Sequence, residues 1–247
     1  VTASAISWRV ATVSAIHAET PRVKTISLSV PGWTDHRPGQ HVDIRLTAED
    51  GYQAERSYSI ASAPSAESRI DLTVERVTQG EVSPFLNDVL IPGDRFEVRG
   101  PIGGYFVWDA ANRDPSLLIA GGSGIVPLMA MIRERARVSA GAPCTLLYSS
   151  RTPDDVIYSV ELDMFAARAD GLRIVHTLTR AQPPGWSGYS RRLDMAMIGE
   201  VLETTGRGTH AFVCGPTPLV ETAAQALVGL GLAPAQVKTE RFGPSGG

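Results

Sequence analysis

Four short stretches of this 247-residue chain combine residue types that can do chemistry. The first is Ala120–Gly121–Gly122–Ser123–Gly124–Ile125–Val126–Pro127. Its glycines let the backbone come close to a ligand, and the amides that open a following helix attract an anion such as a dinucleotide pyrophosphate. A tight strand-to-helix turn without a ligand explains the same residues, and Pro127 stands where the dinucleotide fingerprint has its third glycine. The second is Arg56–Ser57–Tyr58–Ser59–Ile60. On a strand, Arg56 and Tyr58 share one face, and Ser57 and Ser59 the other. A guanidinium beside an aromatic ring suits a phosphate joined to a flat heterocycle; an exposed cation–π pair is the plainer account. The third, Gln79–Gly80–Glu81–Val82–Ser83–Pro84, offers free amides at a helix start, or simply an N-cap at Ser83 with Pro84 in the first position. The fourth, Cys214–Gly215–Pro216, follows an apolar run. Ligands of open α/β sheets bind at such strand ends, although a cysteine there also serves as a small buried hydrophobe.

These stretches need a scaffold, and the hydrophobic pattern supplies two kinds. In the first half, residues 8–13, 23–30, 41–46, 56–60, 70–77 and 95–98 have the character of strands, separated by Gly, Pro, Asp and Ser. Such spacing predicts an antiparallel barrel or sandwich, with a short helix over 83–90. In the second half, residues 116–120, 145–148, 172–177 and 210–213 are apolar strand-like runs. Helical stretches at 125–138, 158–169, 195–204 and 218–230 lie between or after them. Strand–helix alternation predicts a parallel sheet with helices on both faces. The polar segment 109–115 is the expected boundary, giving domains at 1–112 and 113–247.

Composition narrows the function classes. Hydrophobic residues are 43% and charged residues 20%, which excludes a disordered or collagen-like chain. No apolar run approaches the about 18 to 20 residues of a membrane helix, and a net charge of -3 offers no broad basic field for nucleic acid. Two cysteines, Cys144 and Cys214, exclude a four-cysteine zinc or iron–sulfur site within these residues, and no metal site is expected. The start of the chain lacks the pattern of a signal peptide, so a cytoplasmic location is expected.

Taken together and in this order, the motifs resemble those of the ferredoxin–NADP(+) reductase superfamily. The residues that carry the resemblance are Pro38–Gly39–Gln40, Arg56–Ser57–Tyr58–Ser59, Gly80–Glu81–Val82–Ser83, Gly100–Pro101–Ile102–Gly103, Gly121–Gly122–Ser123–Gly124–Ile125 and Cys214–Gly215–Pro216. The resemblance implies an N-terminal β-barrel for FAD and a C-terminal domain for a nicotinamide nucleotide. It implies that Arg56 binds the flavin phosphate, Tyr58 packs on the isoalloxazine and Ser59 lies near its reactive N5. Ser57, Thr73 and Val74 join the flavin set, and Gly80, Glu81, Val82 and Ser83 hold the pyrophosphate. Gly122, Ser123 and Gly124 take the nucleotide, with Cys214, Gly215 and Pro216 beside the nicotinamide. Ser59, Cys214, Glu240 and Phe242 form the implied catalytic set. Phe242 stands where some members stack an aromatic on the flavin; from the residues alone, 239–244 is an exposed tail.

The choice of nucleotide has a physical argument. NAD-selective sites place an acid near the end of the second strand. Here that region is Tyr148–Ser149–Ser150–Arg151, with no acid before Asp154. Thr179–Arg180 ends the next strand and Arg191–Arg192 follow, so guanidinium groups are available to a 2'-phosphate and NADPH is expected over NADH. The implied reaction is hydride transfer from NADPH to FAD, then single-electron release to a ferredoxin or an oxygenase component. Reduction of free flavin, quinone or a metal complex is the alternative acceptor chemistry. A flavin electron-transfer subunit without nucleotide turnover is the alternative of another class.

Overall fold

The computed structural model describes residues 7–33, 35–65, 67–138, 141–206 and 208–242. The chain divides into two compact units, Val1–Asp109 with Met129–Glu134, and Ala110–Leu128 with Arg135–Gly247. Among the described residues no helix is long and apolar enough to cross a membrane.

The first unit is antiparallel. Its strands are β1 (Trp8–Thr20), β2 (Val23–Ser29), β3 (His41–Thr47), β4 (Gln53–Ser59), β5 (Arg69–Glu75) and β6 (Arg95–Ile102), in the order β4-β3-β6-β1-β2-β5. The outer strands β4 and β5 meet through the Ile60–Leu72 bridge and the bond from Ala61 N–H to the Asp71 carbonyl, so the sheet closes into a barrel. Alternating side chains fill the interior: Ile26, Leu28, Val42, Ile44, Ile70, Leu72 and Val98 are all fully buried. β1 runs seven residues past the expected end at 13. It pairs β6 through Trp8–Thr12 and β2 from Thr12 onward, with irregularities after Val13 and Ala18 that shift the inward face and hide the alternation from the sequence.

The helix expected over 83–90 is two pieces. The single turn α1 (Val82–Pro84) runs on into a wider π turn at Phe85–Val89. Ser83 is not its N-cap, which corrects the sequence reading. Glu81 precedes the helix in helical geometry without a side-chain cap. The Ser83 hydroxyl instead accepts from the Val77 N–H at 3.1 Å, because that amide lies just past the end of β5 and has no strand partner there.

The second unit is a parallel sheet of β7 (Ser116–Gly121), β8 (Cys144–Ser150), β9 (Leu172–Leu178), β10 (His210–Pro216) and β11 (Val237–Phe242), in the order β11-β10-β7-β8-β9. Its helices are α2 (Ile125–Arg137), α3 (Ser159–Ala166), α4 (Met195–Thr205) and α5 (Thr217–Gly229). Every residue of β7 and β8 is buried, the mark of strands covered on both faces. Successive strands β7, β8 and β9 build outward one way, and β10 and β11 the other. The order therefore reverses between β7 and β10, and open α/β sheets bind ligands at the carboxyl ends of strands at such a reversal. The expected tail is an edge strand up to Phe242; Gly243 and Pro244 lie outside the described residues.

Candidate functional site

Each unit presents its own cluster. In the first, β4 carries Arg56 and Tyr58 on the face that also bears buried Ala54. Tyr58 packs partly against the barrel core, and burial pushes its phenol up to about 12, against the opposing pull of Arg56. The Arg56 guanidinium is half-exposed; it donates to the Glu55 carbonyl at 2.7 Å and reaches Glu81 at 3.2 Å. The hydroxyl of Tyr52 meets the other oxygen of Glu81, also at 3.2 Å. Arg56 and Glu81, 25 residues apart in sequence, are thereby neighbours. On the opposite face of β4, Ser57 donates to Asp43 at 2.7 Å, and Ser59 is buried. Asp43 also takes a bond from Arg99 at 2.6 Å. Burial pushes the Asp43 carboxyl up, but the bonds from Ser57 and Arg99 outweigh it and hold the group below its ordinary value.

The remaining expected flavin residues play visibly different parts. Val74 is fully buried in the barrel core, and Thr73 is buried with its hydroxyl 2.8 Å from that of Thr25. Val82 and Ser83 also point inward and are buried, whereas Glu81 is exposed. Asn87 is buried and donates to the Val74 and Ser83 carbonyls, which fastens the π turn to β5. The 38–40 and 100–103 motifs converge: Gln40 donates to the Gly103 carbonyl at 2.6 Å and its own carbonyl accepts from Ile60, just beyond β4. Gly39 has φ +97, and a Cβ there would lie 1.9 Å from the Phe106 carbonyl, so no other residue fits that turn.

In the second unit, the chain leaves β7 through a 3-10 turn at Gly122–Gly124 and enters α2. A Cβ on Gly124 would lie 2.2 Å from the Cys214 carbonyl, which explains the glycine by the close approach of β10. Gly122 has φ +54, and a Cβ there would meet no atom within 4 Å. This turn and residues 214–216 flank the reversal point between β7 and β10. Cys214 is fully buried; burial first, and then the Glu240 carboxylate, hold its thiol well above the ordinary range. Glu240 lies opposite Cys214, and Phe242 opposite Pro216, on neighbouring parallel strands.

The expected 2'-phosphate residues cluster in part. The Ser150 carbonyl accepts from the Thr179 amide at 3.0 Å and hydroxyl at 3.2 Å; the Arg151 carbonyl accepts from Arg180 N–H at 2.8 Å. The backbones at the ends of β8 and β9 are thus stitched together, and Arg151 and Arg180 are both exposed there. Ser150 Oγ is buried without a partner among the described residues. Arg192 is exposed. Arg191 differs from its neighbour: its guanidinium bonds Asp194 at 2.6 Å and lies over the Tyr189 ring. Tyr148, read from sequence only as part of a strand, has its hydroxyl on the Gly122 carbonyl. A tyrosine directly after Leu146–Leu147 in a buried strand was the available signal, since a buried phenol needs a partner.

The donor sets suit the implied groups. A half-exposed guanidinium beside a half-buried ring matches a flavin phosphate and its heterocycle. An open glycine turn at a sheet reversal matches the pyrophosphate of a dinucleotide.

Comparison with known proteins agrees. Residues 11–107 match the model of the oxidoreductase FAD-binding domain, and residues 118–225 that of the oxidoreductase NAD-binding domain. The chain is 34% identical over 211 residues to the glycine betaine monooxygenase reductase subunit of Pseudomonas aeruginosa, covering 85% of this chain but 57% of that protein. It is 35% identical over 209 residues to ferredoxin–NADP reductase B of Sorangium cellulosum, covering 83% and 84%. The fold superposes with a TM-score of 0.81 on a ferredoxin NADP+ reductase from Neisseria gonorrhoeae with bound FAD and NADP, at 21% identity over 95% of this chain and 98% of that one.

Proposed function

Because the chain belongs to the ferredoxin–NADP(+) reductase superfamily, with its FAD-binding and NAD-binding oxidoreductase domains, we propose that it is an FAD-dependent NADPH reductase serving a separate ferredoxin or oxygenase component. Residues 1–112 form the flavin domain in this reading, and 113–247 the nucleotide domain. FAD supplies the chemistry of accepting a hydride and releasing electrons singly. The chain's own part is binding, alignment and exclusion of water.

Arg56 holds the flavin phosphate, exchanging part of its ion pair with Glu81 for one with the phosphate. Tyr58 offers its ring face as the floor for the heterocycle, and its raised phenol stays neutral there. Ser59 supplies a hydroxyl near the reactive edge. The turn 122–124 receives the coenzyme pyrophosphate, while Thr179, Arg180, Arg151 and Arg192 receive the 2'-phosphate. Cys214 contributes the shape and low polarity of a protonated thiol to the nicotinamide side, and no covalent bond.

The observation that carries NADPH over NADH is the seam between β8 and β9, where exposed Arg151 and Arg180 are joined through their backbones and no carboxylate stands between Cys144 and Asp154. Relatives described as a monooxygenase reductase subunit and a ferredoxin–NADP reductase support the acceptor class. Stopped-flow reduction of the FAD-loaded protein by NADPH and by NADH, followed by mixing with ferredoxins and oxygenase components, tests both parts. Faster reduction by NADH overturns the coenzyme assignment. Efficient transfer only to free flavin, quinone or ferric complexes overturns the acceptor.

A further inference from the structure

Tyr148 lies in the middle of the fully buried strand β8 and is itself completely buried. Its ring is tilted against His176 of β9 at 5.9 Å, and His176 in turn meets the edge of Trp186 at 6.5 Å. The phenol has one hydroxyl to satisfy, and it does so between two different segments. It donates to the Gly122 carbonyl at 3.1 Å. It accepts from the Ile157 N–H at 3.3 Å.

Those segments have different jobs. Gly122 belongs to the turn after β7, where a positive φ and open space around the missing Cβ leave this one residue without side-chain packing of its own, between Gly121 and Gly124, which are pressed against their neighbours. Ile157 closes the loop from β8 to α3. That loop is already firm: Asp155 accepts from both the amide and the hydroxyl of Thr152, at 3.1 and 2.8 Å. Its first residue, Arg151, gives its carbonyl to the amides of Arg180 and Ala181. The tyrosine hydroxyl therefore ties the open side of the turn at Gly122 to a hydrogen-bonded loop that is in turn joined to the end of β9.

We infer that Tyr148 is a positioning residue for the nicotinamide dinucleotide, fixing the pyrophosphate turn at Gly122 against the loop that carries Arg151. The inference rests on the reading that this end of the sheet binds the coenzyme. Tyr148 touches no ligand in it. Because the pyrophosphate is common to both coenzymes, the effect of Tyr148 is blind to the 2'-phosphate. That separates it from Arg180.

The test is Tyr148→Phe, which keeps the ring and removes only the hydroxyl. Titration calorimetry of the FAD-loaded protein with NADP+ and with NAD+ reads binding without turnover. Kd is expected to rise for both by a similar factor, about fivefold to thirtyfold for the loss of two hydrogen bonds. Bound flavin stays at the wild-type level, KM rises and kcat at saturation stays within about twofold of wild type. Amide hydrogen exchange speeds up at 122–125 and 156–158 alone. Unchanged Kd values overturn the inference. So does a loss confined to one coenzyme, and so does faster exchange along the whole chain with lost flavin, which would make Tyr148 an ordinary core residue. If the wild-type protein binds neither coenzyme, the coenzyme-site reading itself fails, and the inference with it.

Discussion

Cys214 of β10 stands directly opposite Glu240 of β11, so that the carboxylate adds to burial in raising the thiol. Burial, reinforced by the Glu240 carboxylate, keeps it protonated at neutral pH. The thiolate is the nucleophile in cysteine chemistry. Iodoacetamide at pH 8 is therefore expected to label Cys214 at least about tenfold more slowly in the native protein than in urea. Cys214→Ala should leave flavin bound and slow the reduction of that flavin by NADPH. Rapid native labelling of Cys214, followed by mass spectrometry, would sink the neutral-thiol assignment.

Cys144 gives a stability prediction of definite sign. Burial pushes its thiol up from 9.0 to about 12. A group whose pKa is raised on folding contributes fully below its unfolded value, and loses that contribution as pH rises toward the folded value. Stability should thus fall between pH 9 and pH 12, by up to about 1.4 kcal/mol per pH unit for this group. Cys144→Ala should flatten the slope of the urea midpoint above pH 9. An unaltered slope in the variant means that Cys144 does not titrate across this range.

The Arg56–Glu81 pair predicts opposite effects for its two members. Arg56→Ala removes a charge-assisted contact, and FAD affinity should drop roughly tenfold to a hundredfold. Glu81→Gln frees the guanidinium from a competing carboxylate that it now meets at 3.2 Å, and flavin binding should tighten. Fluorescence titration of apoprotein with FAD reads both. Weaker binding in Glu81→Gln would mean that the carboxylate holds Arg56 in place and does not compete for it.

What the sequence disclosed was mainly local. Glycines at 39 and 124 are forced by neighbouring carbonyls, and the 56–59 stretch alternates cleanly, so these motifs are visible without coordinates. Order across the sheet is not local. The strand Val237–Phe242 carries Lys238, Glu240 and Arg241 because it is an edge, and so resembles a polar tail. Ser83 has every mark of a cap, yet its hydroxyl goes to the Val77 amide, which no spacing rule connects to it. Arg191 and Arg192 are indistinguishable by type. Only the fold shows that Asp194, which caps α4 by accepting from Met197 N–H, also holds Arg191.

That difference sharpens the test of coenzyme choice. The amide of Arg180 bonds the Arg151 carbonyl at 2.8 Å, which places Arg180 at the end of β9 beside the end of β8 with its side chain exposed. One charge-assisted bond from Arg180 to a 2'-phosphate is worth about 1.5 to 3 kcal/mol, or roughly tenfold to a hundredfold in affinity. Arg180→Ala should raise KM for NADPH by that order and leave KM for NADH nearly constant, because NADH lacks the phosphate. Arg191→Ala should do much less to either, since its guanidinium is held by Asp194 and the Tyr189 ring. Its effect should fall on the start of α4 and be read as a small drop in melting temperature. Steady-state kinetics with both coenzymes across the two variants resolves the matter. Equal losses with NADPH and NADH in Arg180→Ala would assign Arg180 to the pyrophosphate or to the fold. A selective loss of NADPH in Arg191→Ala would move the phosphate site to the α4 side of the sheet.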